Sequence, residues 1–253
     1  MYGTRLASLG MAEKGSVTVK IKLDTPGGHS SVPPVHTGSK HILAVLLAHT
    51  LVGLMSRLLT ALEDHPFKPS MTADSPYLKY LSCLAEYAPE FPRKLAKKVK
   101  NPKAWPKLAV ELAAEDRVKN SFLATSTAID LIHGGVKVNA LPETVEATVN
   151  HRIDFTSSVN ATLQRYVDLL LPITKKLDLT STFFEEEHGK SERHVTFSVV
   201  EHRAGLEPAP ITPSDSSAFA FIGGAIRAVF GAETVITPTG MFGKSSPLKD
   251  DVG

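Results

Sequence analysis

His29 lies in the stretch TPGGHSSVPP, residues 25–34, and is the first side chain whose type and position suggest a chemical role. Two glycines before it allow the backbone to turn tightly, and Pro33 and Pro34 stiffen the way out of the loop. A loop specified this tightly is a poor piece of hydrophobic core. Taken alone, the simplest interpretation of His29 is that its ring satisfies hydrogen bonds of the loop itself.

Other polar residues are weaker candidates for a chemical role. The acidic run Glu185–His188 is a conceivable metal site, but consecutive residues of a strand or loop cannot all face one ion. We therefore interpret it as a solvated edge. Asp215 is interpreted first as a helix cap and only second as a site residue, and His36 and His151 are interpreted as structural.

Composition narrows the classes of partner. The 253 residues are 42% hydrophobic and 21% charged, and 28 bases against 26 acids leave a net charge of +2. These values are ordinary for a globular protein and argue against a nucleic-acid partner. The single cysteine, Cys83, excludes an internal disulfide and a cysteine metal cluster. Residues 42–62 approach the length of a membrane span, but Arg57 favours a buried amphipathic helix instead.

Hydrophobic periodicity predicts the elements that position these residues. It predicts strands at about 16–24, 121–132, 144–155, 179–184 and 194–200. Helices are predicted at about 41–63, 75–88, 91–99 and 106–118, and over 157–177, where Pro172 should kink or end the helix. Without the inserted small helices, the order is strand, helix, strand, strand, helix, strand. This order predicts an α+β, ferredoxin-like two-layer sandwich with one sheet face left open.

The C-terminal part has a different pattern. A proline-rich stretch after residue 205 leads into a helix that Ser214 or Asp215 should cap and that should end at Gly231. The segment TVITPTG then reads as a short buried strand. One helix and one strand need a sheet that the rest of the chain does not obviously supply.

Four segments together resemble a known family. They are EKGSVTVKIKLDTPGGHSSVPPVHT, ALEDHPFKP, GGVKVNALPETVEATVNHRIDF and LEPAPITPSDSSAFAFIGGAIRAVFG. They are similar to the carboxypeptidase S branch of the zinc metallopeptidase and aminoacylase family. In that family a two-zinc catalytic domain is interrupted by a lid, or dimerisation, domain of ferredoxin-like order.

The resemblance implies roles for four residues. His29 would be the lid histidine that reaches a catalytic centre, often that of a partner subunit, and stabilises the tetrahedral oxyanion. Arg152 would receive the carboxylate of the substrate, for which a guanidinium fork is well suited; its alternative is an ion pair with Asp154 or another acid. Asn139 would be a neutral donor near the substrate or a turn residue before Pro142. Gly240 would come from a loop on the substrate side.

The chain also departs from the family pattern. The zinc ligands and catalytic glutamate of the family precede the lid, and none is recognisable here. Glu13 is assigned to the strand that leads into the lid. Residues 38–50 read as an insertion, for which a retained intron is one explanation, and residues 244–253 replace the expected final segment with its metal histidine. We expect no metal ligand in this chain, although the intact family binds two zinc ions.

These observations predict three parts. Residues 1–14 would be a remnant of the catalytic domain and a linker, 15–203 the lid with a helical insertion at 66–120, and 204–253 a C-terminal remnant of the catalytic domain. The predicted activity is hydrolysis of a peptide or N-acyl amino acid bond next to a free carboxylate, with this chain alone inactive. The alternatives are a non-catalytic dimerisation module and a truncated gene product.

The expected partners follow from the same reasoning. They are a peptide or N-acyl amino acid substrate and a second copy bound through the lid, with neither nucleic acid nor membrane. The first 15 residues show no signal peptide, whereas the resemblance implies a vacuolar protein.

Overall fold

A computed structural model describes residues 2–25, 28–29, 50–200 and 205–241. The strands of this part are β1 Leu6–Glu13, β2 Gly15–Asp24, β3 Gly28–His29, β4 Ser126–Gly134, β5 Ala140–Leu141, β6 Thr144–Ile153, β7 Thr180–Phe183, β8 Glu186–His188, β9 His194–Val199 and β10 Val235–Met241. The helices are α1 Leu51–Asp64, α2 Pro76–Tyr87, α3 Arg93–Val99, α4 Trp105–Glu115, α5 Arg117–Leu123, α6 Val159–Lys176 and α7 Ser217–Phe230, with one 3-10 turn at Pro102–Ala104.

A six-stranded sheet forms the larger layer, with the order β4-β6-β2-β9-β7-β8. Its first four strands, together with α1 and α6, have the ferredoxin-like arrangement, so the predicted α+β fold class is confirmed. The alternating residues Val19, Ile21 and Leu23 of β2 are completely buried and pack in one core with both helices. This alternation is the reason that the segment forms a half-buried strand.

The opposite face of the sheet carries polar side chains. Lys20 pairs with Glu146 at 2.8 Å, and both side chains are partly exposed. Asn150 Nδ2 donates a hydrogen bond of 2.9 Å to Thr18 Oγ1. Polar pairs of this kind across neighbouring strands fit a sheet with one open face.

The second layer is a parallel pair of strands from the two ends of the chain. β1 pairs with β10 from Leu6↔Val235 to Glu13↔Met241. β1 therefore supplies part of the sheet that the C-terminal helix and strand require. The sequence analysis predicted this segment to be a linker. Glu13 ends β1 and does not belong to the lid strand that follows.

The helical insertion lies beside this pair. α2 contacts β10, and the apolar sides of α2, α4 and α5 form a second core around Leu81, Leu84, Leu108 and Leu112. Tyr2 and Leu6 at the N-terminal end pack against the same core. The insertion is thus joined to the β1–β10 layer, whereas α1 and α6 cover the six-stranded sheet.

The strand predicted from residue 121 is wrong at its start. Residues up to Leu123 belong to α5, because the Asp116 side chain caps that helix by accepting from the backbone N–H groups of Val118 and Lys119. The strand begins at Ser126 instead. The C-terminal helix is likewise capped by Ser216, which accepts from Phe219 N–H, and not by Ser214 or Asp215.

Of the two effects predicted for Pro172, a kink or an end of the helix, the end is wrong, because α6 continues to Lys176. A proline removes the hydrogen bond to the carbonyl four residues earlier, which is that of Asp168. Both Pro172 and Asp168 are exposed, so water can satisfy this carbonyl. The buried face of α6, with Tyr166 and Leu170, stays intact.

Among the described residues, His151 on β6 is a histidine buried in the core. Its Nε2 lies 2.7 Å from the Tyr166 hydroxyl, and its Nδ1 lies 3.2 Å from the Ser126 carbonyl oxygen. This pattern fits a neutral ring that donates from Nδ1 and accepts at Nε2. Burial lowers the pKa of His151 to about 4, partly offset by the Ser126 hydrogen bond. The interpretation of His151 as structural is consistent with this environment.

His151 should make the fold sensitive to acid. The folded-state pKa of about 4 lies below the ordinary 6.5, so the unfolded chain takes up a proton first as pH falls. The free energy of unfolding should decrease by roughly 3 kcal/mol between these two pH values. Urea titrations at several pH values would measure the decrease, and His151→Gln should flatten it. Parallel pH profiles of parent and variant would contradict a neutral, buried His151.

Candidate functional site

His29 and Asn139 are brought together by a short two-stranded ribbon. β3 pairs with β5 in the register Gly28↔Leu141 and His29↔Ala140, so the backbone of His29 lies opposite the neighbour of Asn139. Asn139 is exposed and lies in the turn that leads into β5. Both the turn interpretation of Asn139 and a role beside His29 are compatible with this position. His36 lies outside the described residues.

Arg152 lies on β6, between Ser16 of β2 and Ser126 of β4. Its neighbours His151 and Ile153 face the helix side, so the half-buried Arg152 belongs to the open face of the sheet. No carboxylate of residues 2–25, 50–200 or 205–241 forms an ion pair with it.

Asp154, the alternative partner of Arg152, is engaged elsewhere. Its Oδ2 accepts hydrogen bonds from the backbone N–H and the hydroxyl of Thr156, at 3.1 and 2.6 Å. This local turn holds the carboxylate at the end of β6. Asp154 therefore does not pair with Arg152, which has no carboxylate partner among the described residues.

The two pairs of predicted residues lie at opposite ends of the lid. The ribbon of His29 follows the end of β2, where Asp24 is opposite Thr144, whereas Arg152 is eight residues farther along β6. At 3.4 Å per residue this is a distance of about 27 Å. The ribbon of His29 and the residue Arg152 therefore lie toward opposite ends of β6.

The end of β6 that carries Arg152 lies where the six-stranded sheet meets the β1–β10 pair. Lys14 connects β1 to β2 and donates its backbone N–H to the Met241 carbonyl at the end of β10, at 2.9 Å. The carboxyl ends of both parallel strands therefore meet the start of β2 and the end of β6. In open α/β sheets, ligands bind outside the carboxyl ends of the strands.

Lys14 is a buried cation at this junction, which sequence reasoning missed. Its Nζ donates to the carbonyls of Ser121 and Ala124, at 2.8 and 2.6 Å, around the end of α5. Burial lowers its pKa to about 8; Asp154 opposes this and Arg152 adds to it. Nothing in the local sequence signals a buried lysine, since it stands between Glu13 and Gly15 like an ordinary turn residue.

Gly240 lies within β10 rather than in a loop, and its small size has a packing reason. A Cβ added there would lie 2.2 Å from Cζ of the Phe155 ring. Phe155 follows β6 closely, so this contact joins the end of β10 to the strand that carries Arg152. The predicted role of Gly240 toward a substrate stays a prediction.

A cleft opens on the other side of Phe155. Its volume is about 630 Å³, and its walls include Lys79, Glu207 and the apolar side chains of Pro208 and Ile211. A cleft of this size with mixed walls can hold part of a small ligand. Phe155 is itself one of the residues that line it.

The described ranges contain no metal centre. No three histidine, cysteine or acidic side chains within them converge as ligands. The acidic run Glu185–His188 lies in the β7–β8 hairpin, where Glu186 and Glu187 are exposed on the edge strand β8. The exposure of these two glutamates is consistent with the interpretation of the run as a solvated edge.

Comparison with known proteins identifies the family. A family model described as a peptidase dimerisation domain matches residues 11–177. A carboxypeptidase of Schizosaccharomyces pombe is 35% identical over 244 residues, which cover 94% of this chain. The chain belongs to the M20 peptidase family. Carboxypeptidase S of Saccharomyces cerevisiae is 30% identical over 94% of the chain, and the bovine N-fatty-acyl-amino acid synthase/hydrolase 25% over 92%.

The chain spans only part of these relatives, 38%, 41% and 39% of their respective lengths. Solved structures show the same fold. The di-peptidase Dug1p of Saccharomyces cerevisiae matches 94% of the chain and 45% of its own, with a TM-score of 0.52 and 12% identity. The metallo-carboxypeptidase Sso-CP2 of Sulfolobus solfataricus matches 94% and 55%, with a TM-score of 0.51 and 12% identity.

The Gly240–Phe155 contact yields a direct test. Gly240→Ala should lower the free energy of unfolding by about 1–3 kcal/mol, because the new methyl group overlaps the ring. Chemical denaturation measures the change. Gly224→Ala is the matched control, since nothing lies within 4 Å of its added Cβ and alanine favours the helix. Equal losses from both substitutions would contradict the packing role of Gly240.

Proposed function

We propose that this chain forms the lid and one edge of the catalytic layer in a hydrolase of peptides or N-acyl amino acids. The bond cleaved is the amide next to a free carboxylate. The observation that carries the proposal is the position of Arg152, which forms no ion pair with any described residue and lies on the open face where the six-stranded sheet meets the carboxyl ends of β1 and β10. The relatives, carboxypeptidases and an N-fatty-acyl-amino acid synthase/hydrolase, support the same substrate class.

Arg152 would bind the substrate carboxylate. Its guanidinium stays protonated and can donate two parallel hydrogen bonds to the two carboxylate oxygens. The buried ammonium of Lys14 adds positive potential from behind the site. Gly240 keeps the end of β10 close to Phe155, and the cleft beside that ring is the candidate space for the rest of the substrate.

His29 and Asn139 would act in the site of a partner subunit. The separation of about 27 Å along β6 prevents them from serving the same subunit as Arg152. A homodimer resolves this, because each copy then supplies the histidine and asparagine to the other. There the His29 ring would donate to the developing oxyanion, and Asn139 would assist as a neutral donor.

The edge of the six-stranded sheet offers a place for such a dimer. β4 ends the sheet, and within the described residues its outer edge has no partner strand. Leu131 and Ile132 near its end are both 52% exposed. Free edges with apolar side chains favour pairing with another chain, which agrees with the family description as a dimerisation domain.

Zinc is the metal of the family, but the described residues do not fit it. No group of three metal-binding side chains exists among them, so we derive no step through zinc from this part of the chain. The metal ligands and the general base would come from sequence outside it. In this scheme, residues 1–14 and 204–253 belong to the catalytic layer and 15–203 to the lid, and the protein is vacuolar, as the family resemblance implies.

A non-catalytic dimerisation module is the second candidate. It is favoured by one observation, the match to the dimerisation domain without a metal-binding group in the described residues. Both candidates predict a dimer, and they differ in catalysis. Zinc analysis of the purified chain should find no tightly held metal under either candidate, and two bound ions per chain would contradict the assignment of the zinc ligands to other sequence.

Mixing of subunits tests the shared site. In a chimera, this chain replaces the aligned 244 residues of the fission yeast relative. Chimeras with His29→Ala or Arg152→Met should each lose at least about tenfold in kcat/KM. Mixed and re-equilibrated, they should regain about a quarter of the parental activity, because half of the dimers then contain one intact site.

Arg93→Met is the matched control, since this arginine is exposed at the start of α3 and belongs neither to the six-stranded sheet nor to the β1–β10 pair. No recovery on mixing, with both variants still dimeric, would show that His29 and Arg152 do not serve shared sites. A chimera that dimerises and binds zinc but hydrolyses no N-acyl amino acid or dipeptide would favour the non-catalytic module.

A further inference from the structure

Lys14 connects β1 to β2 and is almost completely buried, with 2% of its surface exposed. Lysine is rarely buried to this extent unless its ammonium is paired. No carboxylate of the described ranges forms an ion pair with it. A buried cation costs stability unless other groups bind it, so the position of Lys14 requires an explanation.

Two backbone carbonyls take the place of a counterion. Lys14 Nζ donates to the Ser121 and Ala124 carbonyl oxygens at 2.8 and 2.6 Å. α5 ends at Leu123, and carbonyls at the end of a helix have no acceptor role within the helix itself. The helix dipole also favours a cation at this end. The ammonium of Lys14 thus ties the junction of β1 and β2 to the end of α5.

The end of α5 leads directly to a neighbour of Arg152. Two residues after Ala124, Ser126 begins β4 and pairs with Arg152 of β6. Between them lies the buried Thr125, whose Oγ1 accepts a hydrogen bond of 2.9 Å from the Asp154 backbone N–H. The segment that Lys14 binds therefore contacts the end of β6 at two points.

The other neighbour of Arg152 is connected to the same lysine. Ser16 of β2 pairs with Arg152 on its second side and follows Lys14 by two residues. The backbone N–H of Lys14 donates to the Met241 carbonyl at the end of β10. Through covalent or hydrogen bonds, Lys14 is thus linked to both strands that flank Arg152 and to the end of β10.

The surroundings of Lys14 disfavour its charge. Burial lowers its pKa to about 8; Asp154 opposes this effect and Arg152 adds to it. At such positions, well-packed apolar side chains often give equal or higher stability than an ion. A charge kept at a cost in stability, beside a candidate site, is typical of a functional constraint.

We propose that Lys14 is a positioning residue for Arg152. By holding the end of α5 against the junction of β1 and β2, Lys14 fixes both strands that flank the guanidinium and thereby sets its affinity for a carboxylate. This role is distinct from the positive potential that the ammonium contributes. The inference rests on the proposed binding of the substrate carboxylate by Arg152.

Hydrogen exchange tests the structural part of the proposal. In the 253-residue chain, Lys14→Met should raise the exchange rates of the amides of residues 124–128 at least about tenfold, because methionine donates no hydrogen bond to the two carbonyls. Lys97→Met is the matched control, since Lys97 is exposed on α3, and it should leave these rates unchanged. Lys14→Gln, with a shorter side chain, takes the place of Lys14→Met if methionine prevents folding.

A double-mutant cycle in the chimera tests the effect on Arg152. The probe is hexanoate, a carboxylate without an amide bond, and calorimetry at pH 7 measures its dissociation constant. Lys14→Met should weaken binding at least about fivefold when Arg152 is present and less than about twofold in the Arg152→Met background. Lys14→Arg keeps a cation with several donors and should restore most of the affinity.

Two results would overturn the proposal. One is unchanged exchange of residues 124–128 in a folded Lys14→Met chain. The other is an equal loss of hexanoate affinity with and without Arg152, because Lys14 would then act on the ligand through its charge or on the fold as a whole. Neither readout requires catalysis, so a chimera that shows the coupling but hydrolyses no N-acyl amino acid or dipeptide would contradict the proposed function alone.

Discussion

The antiparallel pairing of β2 with β6 is the constraint on which the rest of the structure depends. Ten consecutive residue pairs, from Gly15↔Ile153 to Asp24↔Thr144, fix these two strands against each other without a bulge. The two faces of this strand pair differ. The alternating apolar residues pack against α1 and α6, and the polar residues between them lie on the open face. A slip by one residue would turn Arg152 into the core and His151 out of it.

The elements with a clear apolar period were predictable from sequence. β2, β6, α1 and α6 each bury alternate or every third to fourth residue, and these four elements define the ferredoxin-like fold. β1 was missed because its interaction partner, β10, lies more than 220 residues away. Parallel pairing between chain ends leaves no local signal, unlike a hairpin with its turn.

Two smaller differences have local causes. The acidic segment after β7 turns back as a hairpin although it lacks glycine, and Phe184 and Glu185 adopt the left-handed backbone conformation, with φ of 48° and 93°. Residues other than glycine rarely adopt this conformation, so β8 could not be predicted from the sequence. At α5 the cap by Asp116 outweighed the β-branched and aromatic residues that favoured a strand.

The candidate site shows what resemblance and geometry each contribute. Resemblance to the family selected four residues, His29, Asn139, Arg152 and Gly240. The residue types and their spacing alone would not have distinguished a functional role from a packing role for any of them. The structure adds that they form two groups, one at each end of the same strand. It also adds Lys14 and Phe155, which are buried through contacts with residues distant in sequence.

A rigid sheet explains why a lid can also be a dimerisation domain. β6 is hydrogen-bonded on both sides over most of its length, which holds its two ends apart. A protein that uses both ends must therefore use two copies, each presenting one end to the other. Under the proposed roles of His29 and Arg152, separation of the subunits would remove the histidine end from every site at once.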